Sequence, residues 1–208
     1  MARSLLGARL VRDDATGRRS GRIVETEAYG GPDDLASHAR FDSRRRNAVL
    51  DGPPGIAYVY LVYGMYDCLN VVTGEAGAPS AVLIRAVEPL EGIDAMRGAR
   101  LVVERRRRGV RTADGARHAA DRLAHIAPLA LARGPGLVGA CFGVDPAWTG
   151  TDLCDPASPL RLERGPGDGV PDDRVRVGPR VGVAYAGAWA TVPWRFAIAG
   201  HPSVSGAR

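Results

Sequence analysis

Two glutamates and a tyrosine alternate along the segment Gly21–Tyr29, GRIVETEAY, with a spacing that suits proton transfer. The residue types predict a strand, which the following Gly-Gly-Pro would end. Because alternate residues of a strand share a face, Glu25, Glu27 and Tyr29 should point the same way. Such a face resembles the floor of a pocket in which a carboxylate can deprotonate a water. An exposed polar strand face explains the same pattern, and the spacing alone favours that simpler interpretation.

Four of the six tyrosines lie close together, at positions 58, 60, 63 and 66. Tyrosine favours strands, so packing within a sheet is one explanation. The other is stacking on flat rings, which contributes about 1–3 kcal/mol per nucleic-acid base. Gly64 would let the chain turn sharply and present Tyr63 at a tip. Together with the basic composition, the cluster favours a nucleic-acid partner.

Several kinds of chemistry are excluded by what the sequence lacks. All 28 basic residues are arginine, so neither a P-loop lysine nor a lysine Schiff base is possible. The four histidines and three cysteines form no metal-binding motif, so we expect no metal and no cofactor. Gly134–Gly139 matches GxGxxG, but Pro135 and the lack of a preceding strand exclude a dinucleotide site. Backbone amides at a helix start there could still bind a DNA phosphate.

The bulk composition is that of a globular protein. Its 208 residues predict a single domain, 1–208. The net charge of +5 fits phosphate binding by arginine, but a genome rich in G and C explains the arginine equally well. The sparse cysteines predict a reducing compartment. With no apolar run of membrane-spanning length and no convincing signal peptide, we expect a cytoplasmic protein without a membrane partner. We also expect it to be bacterial and nucleoid-associated, with a monomer as the default.

The elements that must position these residues follow from the same patterns. Gly and Pro punctuate the chain often, so most elements should be short. We expect residues 105–130 to be a flexible excursion, residues 32–55 and 145–173 to be loops, and Ser203–Arg208 to be a frayed tail. Clustered strands with helices between them predict an α+β fold, a mainly antiparallel curved sheet with packed helices and long loops. The predicted strands are Gly21–Tyr29, Ile56–Tyr63, Asn70–Thr73, Ala81–Val87, Val181–Ala184 and Trp194–Ile198, and the predicted helices are Leu90–Arg108 and Gly134–Gly143.

Four blocks of the sequence resemble the 3-methyladenine (alkyladenine) DNA glycosylases. They read GRIVETEAYGGPDD, then RRRN with GPPGIAYVYLVYGMYDCLN, then VLIRAVEPLEGIDAMR, and finally RVGVAYAGAWA with PWRF. The resemblance covers most of the chain and is weakest over residues 105–130 and 145–175. It implies a base excision repair enzyme that flips a damaged purine out of double-stranded DNA and excises it.

The resemblance also implies a role for individual residues. Glu27 would be the catalytic carboxylate, and Arg85 and the backbone carbonyl of Val183 would position the water with it. Tyr63 would intercalate where the flipped nucleotide leaves the stack, and Asn70 would screen against the amino group of guanine. The complete base-binding set would be Tyr29, His38, Tyr60, Asn70 and Leu83, and the phosphate-binding set Arg46, Arg100 and Gly136.

Without lysine, water should be the nucleophile and an abasic site the product. Alkylated adenine, hypoxanthine and etheno-adenine all suit a flat aromatic slot, and the sequence does not rank them. Two other functions remain open: a nucleic-acid-binding protein without activity, and a hydrolase of free nucleosides. The first would not require Glu27, Arg85, His38 and Asn70 together, and the second would need neither an intercalating tyrosine nor a basic surface.

Overall fold

A curved antiparallel sheet forms the frame of the protein in a computed structural model, which describes residues 1–41, 48–109, 111–167 and 169–206. Its main strands run in the order β3-β4-β5-β2-β1-β6, and β8 pairs with both β2 and β7. All pairings are antiparallel, as predicted. The strands are β1 (Arg9–Asp14), β2 (Gly17–Tyr29), β3 (Ala57–Val62), β4 (Tyr66–Thr73), β5 (Ser80–Glu91), β6 (Leu160–Glu163), β7 (Val175–Gly178) and β8 (Arg195–Ile198).

The long strand β2 is the centre of the sheet, because it pairs with β1, β5 and β8. Its register against β5 shifts between Ser20 and Gly21 and again on both sides of Glu25. Such bulges bend a strand and strengthen its twist, and they re-aim side chains near functional sites. Two of the three register shifts therefore flank Glu25, in the half of β2 that carries the two glutamates.

Three α-helices lie within the described ranges: α1 (Ile93–Arg108), α2 (Ala113–Ala124) and α3 (Pro135–Phe142). Helix α1 ends at Gly109 and α3 at Gly143, both in the left-handed conformation that glycine adopts most readily. The apolar face of α3, with Val138 and Phe142, packs into a core shared with sheet residues such as Ile23 and Leu69. The α+β class predicted from the sequence is confirmed.

The predicted flexible excursion at residues 105–130 is largely helical instead. Helix α2 begins after Thr112, whose hydroxyl accepts a hydrogen bond from the Gly115 amide, and buries Ala119 and Leu123. Arg97 of α1 donates to the carbonyls of Leu123 and Ile126, which ties the end of α2 to its neighbour. The apolar stripe is too narrow to stand out in a segment rich in arginine, alanine and aspartate.

Two further predictions near the C-terminus are wrong. Residues 181–184 form no strand, because Gly182 adopts a φ of 77° and the chain continues into 3-10 turns at Ala184–Ala190. The predicted frayed tail is held in place as far as Ser205, since Ser203 and Ser205 are buried. Residues 207 and 208 lie outside the described ranges.

Candidate active site

The carboxylate of Glu27 is fully buried and is held by two hydrogen bonds and one ion pair from three parts of the chain. The Val181 amide donates to Oε1 at 2.7 Å, and Arg85 Nη1 lies 3.2 Å from the same oxygen. The Tyr29 hydroxyl donates to Oε2 at 2.8 Å. A carboxylate has about four acceptor positions, so Glu27 retains the capacity to accept a proton from a water.

Glu25 lies on the same strand but serves a different purpose. Its Oε1 accepts hydrogen bonds from Arg85 Nε, Arg195 Nε and the Ser205 hydroxyl, and its Oε2 accepts from the Ser205 amide. Burial opposes ionisation of this carboxyl, but Arg85 and the hydrogen bonds from Ser205 outweigh it and lower its pKa. Glu25 therefore anchors Arg85, and Arg85 reaches from it to Glu27.

An aromatic slot, formed by Tyr29, His38 and Tyr60, lies beside this carboxylate. The His38 and Tyr60 ring centroids are 4.4 Å apart, and His38 Nδ1 lies 2.9 Å from the hydroxyl of Tyr58 behind it. The pocket encloses roughly 300 Å³ including its open mouth. Its lining consists of Tyr29, Ala36, Ser37, His38, Leu50, Tyr58, Tyr60, Asn70 and Ala81.

The rings of the aromatic slot are electrically neutral near pH 7. Burial raises the pKa of Tyr29, and the nearby Glu27 carboxylate raises it further. Burial also raises the pKa of Tyr60 and lowers the pKa of His38. A neutral His38 does not repel a positively charged ring, and the faces of neutral aromatic rings attract one.

Asn70 and Leu83 connect the slot to the carboxylate across neighbouring strands. Leu83 of β5 is buried and pairs with Asn70 on one side and Glu27 on the other. The Asn70 amide donates to the carbonyls of Tyr58 and Cys68, which holds the side chain in one orientation. It lines the pocket as a rigid polar obstacle.

A second, wider groove is lined by two of the residues that contact Glu27. It encloses roughly 950 Å³ of space that includes open solvent, and Arg85, Val181 and Arg133 contribute to its wall together with Gly134 and Pro135 at the start of α3. Arg85 and Val181 contact Glu27 and line this groove, while Tyr29 contacts Glu27 and lines the aromatic slot. The buried carboxylate therefore lies directly behind a wall of the slot and a wall of the groove.

Tyr63 lies at the tip of the β3–β4 hairpin and is 86% exposed. The turn places Tyr63 and Gly64 at its centre with φ values of 51° and 67°, and the Met65 amide donates to the Val62 carbonyl. Two central residues with positive φ are what a type I′ turn requires. Tyr63 is the single residue other than glycine with positive φ among the residues described, and such strain is often found at functional positions.

Val183 is buried beside Ala36 and packs in the same cluster as Tyr29. Its carbonyl accepts a hydrogen bond from the Ala186 amide, which leaves one lone pair for a further donor. The amide of Val181, two residues earlier, donates directly to Glu27, a contact that the residue types did not predict. A main-chain donor carries no signal in residue type, so only the fold reveals it.

The buried ion pair between Arg180 and Asp34 was also missed by sequence reasoning. The guanidinium binds both carboxylate oxygens, at 2.6 and 2.9 Å, and donates to the carbonyls of Ala28 and Trp189. It lies 4.9 Å from the Tyr29 ring centroid. Asp34 also accepts from the amides of Gly30 and Ala36. This pair joins the end of β2, the loop leading to His38 and the segment that carries Val181.

The three residues predicted to bind phosphate have different fates. Arg100 is buried, donates to the Leu131 carbonyl and pairs with Glu104, so its guanidinium faces the interior, and its phosphate contact stays a prediction that this burial disfavours. Gly136 lies in the first turn of α3, where an added Cβ would come within 2.5 Å of Tyr66. Arg46 lies outside the described residues.

Neither a metal-binding cluster nor a helix that could cross a membrane occurs in residues 1–41, 48–109, 111–167 and 169–206. No group of three His, Cys, Asp or Glu side chains in these ranges is arranged to hold a metal ion. No helix there is both long enough and apolar enough to cross a bilayer.

Comparison with known proteins places this geometry in a family. A family model described as methylpurine-DNA glycosylase matches residues 1–202. Three bacterial relatives carry the name "Putative 3-methyladenine DNA glycosylase". The protein from Anaeromyxobacter dehalogenans strain 2CP-1 is 44% identical over 99% of this chain and 79% of its own length. Those from Myxococcus xanthus and Streptomyces avermitilis are each 42% identical over 99% of this chain, and over 87% and 84% of their own lengths. The chain therefore belongs to the methylpurine-DNA glycosylase family.

Proposed function

We propose that this chain is a monofunctional glycosylase in which Glu27 directs a water onto the N-glycosidic bond of a flipped, damaged purine. Family membership makes it a DNA N-glycosylase of base excision repair that acts on methylated purines. The observation that carries the finer proposal is that Glu27 contacts a wall of the aromatic slot through Tyr29 and a wall of the groove through Val181 and Arg85. A base in the slot and its sugar-phosphate in the groove would place the bond to be broken beside this carboxylate.

The aromatic slot suits a purine made electron-poor by damage. Tyr29, His38 and Tyr60 would stack on the base, and a ring alkylated at nitrogen gains further because it is positively charged and the slot is neutral. Asn70, held by two carbonyls, would obstruct the exocyclic amino group of guanine. Leu83 would complete the apolar wall on the side of Glu27.

The reaction we propose is a hydrolysis. As the C1′–N bond breaks, its electron pair leaves with the base and positive charge develops on the sugar. The ionised Glu27 stabilises that charge and accepts a proton from the water, whose oxygen forms the new bond to C1′. Arg85 and the Val183 carbonyl would orient the water. The products are a free base and an abasic site.

Tyr63 would fill the gap left by the extruded nucleotide. An aromatic side chain inserted between base pairs replaces part of the lost stacking. Its exposure and its position at the tip of the hairpin support this role. Arg133, which lines the groove, and the Gly136 amide in the first turn of α3 would contact the DNA backbone there.

We expect no covalent enzyme–DNA intermediate, because the chain has no lysine to form an imine with the sugar. The test uses duplexes with a single hypoxanthine or etheno-adenine, incubated with the protein and EDTA and then divided. Alkali should cleave the strand at the lesion, while untreated strands stay intact. Sodium borohydride should trap no adduct. A trapped adduct would refute the water mechanism, and a lesion that gives no alkaline cleavage would be removed from the proposed substrates.

Two other functions are separated by simple observations. A DNA-binding protein without activity would give no alkali-sensitive site on any modified purine. A nucleoside hydrolase would act on a modified mononucleoside as readily as on a duplex, and would not need the exposed Tyr63. We propose that the protein works as a monomer on chromosomal DNA in the bacterial cytoplasm.

A further inference from the structure

The β3–β4 hairpin projects the apolar side chains of Leu61, Tyr63 and Met65 into solvent, and the three are 50%, 86% and 42% exposed. A two-stranded ribbon has little stability on its own. The turn at its tip also holds Tyr63 in an unfavourable backbone conformation. Something outside the hairpin must therefore keep it in place.

The last turn of α1 contacts the hairpin just behind its tip. The Arg107 guanidinium lies 3.8 Å from the centroid of the Tyr66 ring and donates to the Tyr66 hydroxyl. Another nitrogen of Arg107 lies 3.7 Å from the sulfur of Met65. Arg106 pairs with the buried Asp67 at 3.1 Å. Two consecutive arginines thus contact three consecutive residues at the start of β4.

Helix α3 closes on the same residues from a second direction. A Cβ at Gly136 would lie 2.5 Å from the Cβ of Tyr66, and one at Gly139 would lie 2.0 Å from the carbonyl oxygen of Asp67. Only glycine allows so close an approach between helix and strand. Tyr66 is therefore in contact with both α1 and α3.

The four arginines at residues 105–108 therefore differ in their contacts. Arg105 is exposed, and Arg108 pairs with Glu104 of its own helix at 3.8 Å. Within this run, the contacts that the structure shows to the hairpin come from Arg106 and Arg107. A plain basic surface for phosphate would not require one guanidinium to lie over a tyrosine ring.

We propose that Arg106 and Arg107 are positioning residues that hold the β3–β4 hairpin rigid, so that Tyr63 is already aligned to enter the duplex when the damaged nucleotide leaves it. This inference rests on the proposed role of Tyr63. Preorganisation matters because a mobile hairpin would have to be ordered in the step that also unstacks the base. The effect should therefore be confined to substrates in which a base must be extruded from a paired stack.

The test compares single-turnover excision of one lesion from a fully paired duplex and from an unpaired loop of the same sequence. Arg107→Gln should slow excision from the paired duplex about tenfold, the scale of a lost guanidinium–ring contact, and change excision from the loop less than about twofold. Arg108→Gln, one residue away, is the matched control and should leave both rates unchanged. An equal loss on both substrates would indicate a general structural defect and overturn the proposal.

Arg107→Lys distinguishes a side chain that holds the hairpin rigid, which we call the brace, from one that contacts a DNA phosphate. Lysine keeps the charge but lacks the flat, forked guanidinium. The brace predicts that Arg107→Lys is as slow as Arg107→Gln and that the salt dependence of DNA binding is unchanged. Rescue by lysine, or a shallower salt dependence in Arg107→Gln, would show a phosphate contact instead.

A reporter of unstacking makes the failure of this inference distinguishable from failure of the proposed function. The probe is 2-aminopurine next to the lesion, and all proteins carry Glu27→Gln to prevent base release. Its fluorescence rises when the neighbouring base is unstacked on binding. This increase should be smaller when Tyr63→Ala or Arg107→Gln is added. If Tyr63→Ala alone reduces it, the brace is wrong and the role of Tyr63 stands. If neither reduces it, the proposed role of Tyr63 is wrong, and the brace fails with it.

Discussion

Replacing Glu27 by glutamine is expected to reduce base release from damaged duplex DNA about 10²–10⁴-fold, the usual contribution of a general base. Glutamine keeps the size of the side chain: its amide oxygen can still accept the hydrogen bond from the Val181 amide, and its amide nitrogen can donate one to the Tyr29 hydroxyl. It carries no charge to stabilise the sugar and accepts no proton from the water. Release should be measured in single turnover, and binding to the same duplex by fluorescence anisotropy.

The contrast between release and binding is what makes Glu27→Gln informative. Binding should remain within a few fold of the original protein, because the aromatic slot and the hairpin are untouched. A variant that releases base at the original rate would remove Glu27 from the mechanism. A parallel loss of binding and release would mean that the substitution disturbs the fold rather than the chemistry.

Replacing Arg180 by methionine is expected to destabilise the protein by about 3–5 kcal/mol, because it leaves the buried Asp34 without its cation. Methionine fills much of the same volume, so a cavity should add little. Urea unfolding at neutral pH measures the loss. Arg176→Met, on the exposed side of β7, is the matched control and should change stability by less than about 0.5 kcal/mol.

The difference between the original protein and Arg180→Met should shrink in acid. Burial opposes ionisation of Asp34, but the Arg180 hydrogen bonds and the amides of Gly30 and Ala36 outweigh it and lower its pKa below the ordinary 3.8. A lowered carboxyl pKa contributes stability that is present above the unfolded pKa and is lost as pH falls through the folded value. A difference that stays constant from pH 7 to pH 3 would show that the Asp34 charge is not the cause.

The strand bearing Glu27 and the hairpin bearing Tyr63 were predictable because their signals are local. Strand residues ending at Gly-Gly-Pro indicate β2, and a glycine after Tyr63 indicates the turn. The family resemblance then singled out Glu27, Tyr29 and His38. The structure adds how they are brought together, through the pairing of β2 with β5 and the loop that follows β2.

The different environments of Glu25 and Glu27 could not be inferred from periodicity. The two residues are two positions apart on one strand, so alternation assigns them to the same face, and both contact Arg85. The difference comes from Arg195 and Ser205, which saturate Glu25 and lie 170 and 180 residues away in the sequence. Arg180 and Asp34 are likewise 146 residues apart, and one arginine among 28 basic residues gives no local signal.

Residues 181–184 show the opposite error, in which a local pattern indicated the wrong structure. Arg100, to which the family resemblance gave a phosphate contact, lies on a basic helix, but its guanidinium turns inward to the Leu131 carbonyl, 31 residues along the chain. The apolar alternation around Val181 and Val183 suits a strand, yet Gly182 breaks it and leaves the Val181 amide for Glu27. In both cases a contact distant in sequence overrides the local preference.

The most direct test of base excision by Glu27 is chromatography of the bases that the protein releases from methylated duplex DNA in EDTA. We expect free 3-methyladenine in the supernatant, with strand breaks appearing only after alkali. Release should disappear with Glu27→Gln and persist with the control Arg176→Met. No release of 3-methyladenine by a folded protein that binds the same DNA would contradict this expectation.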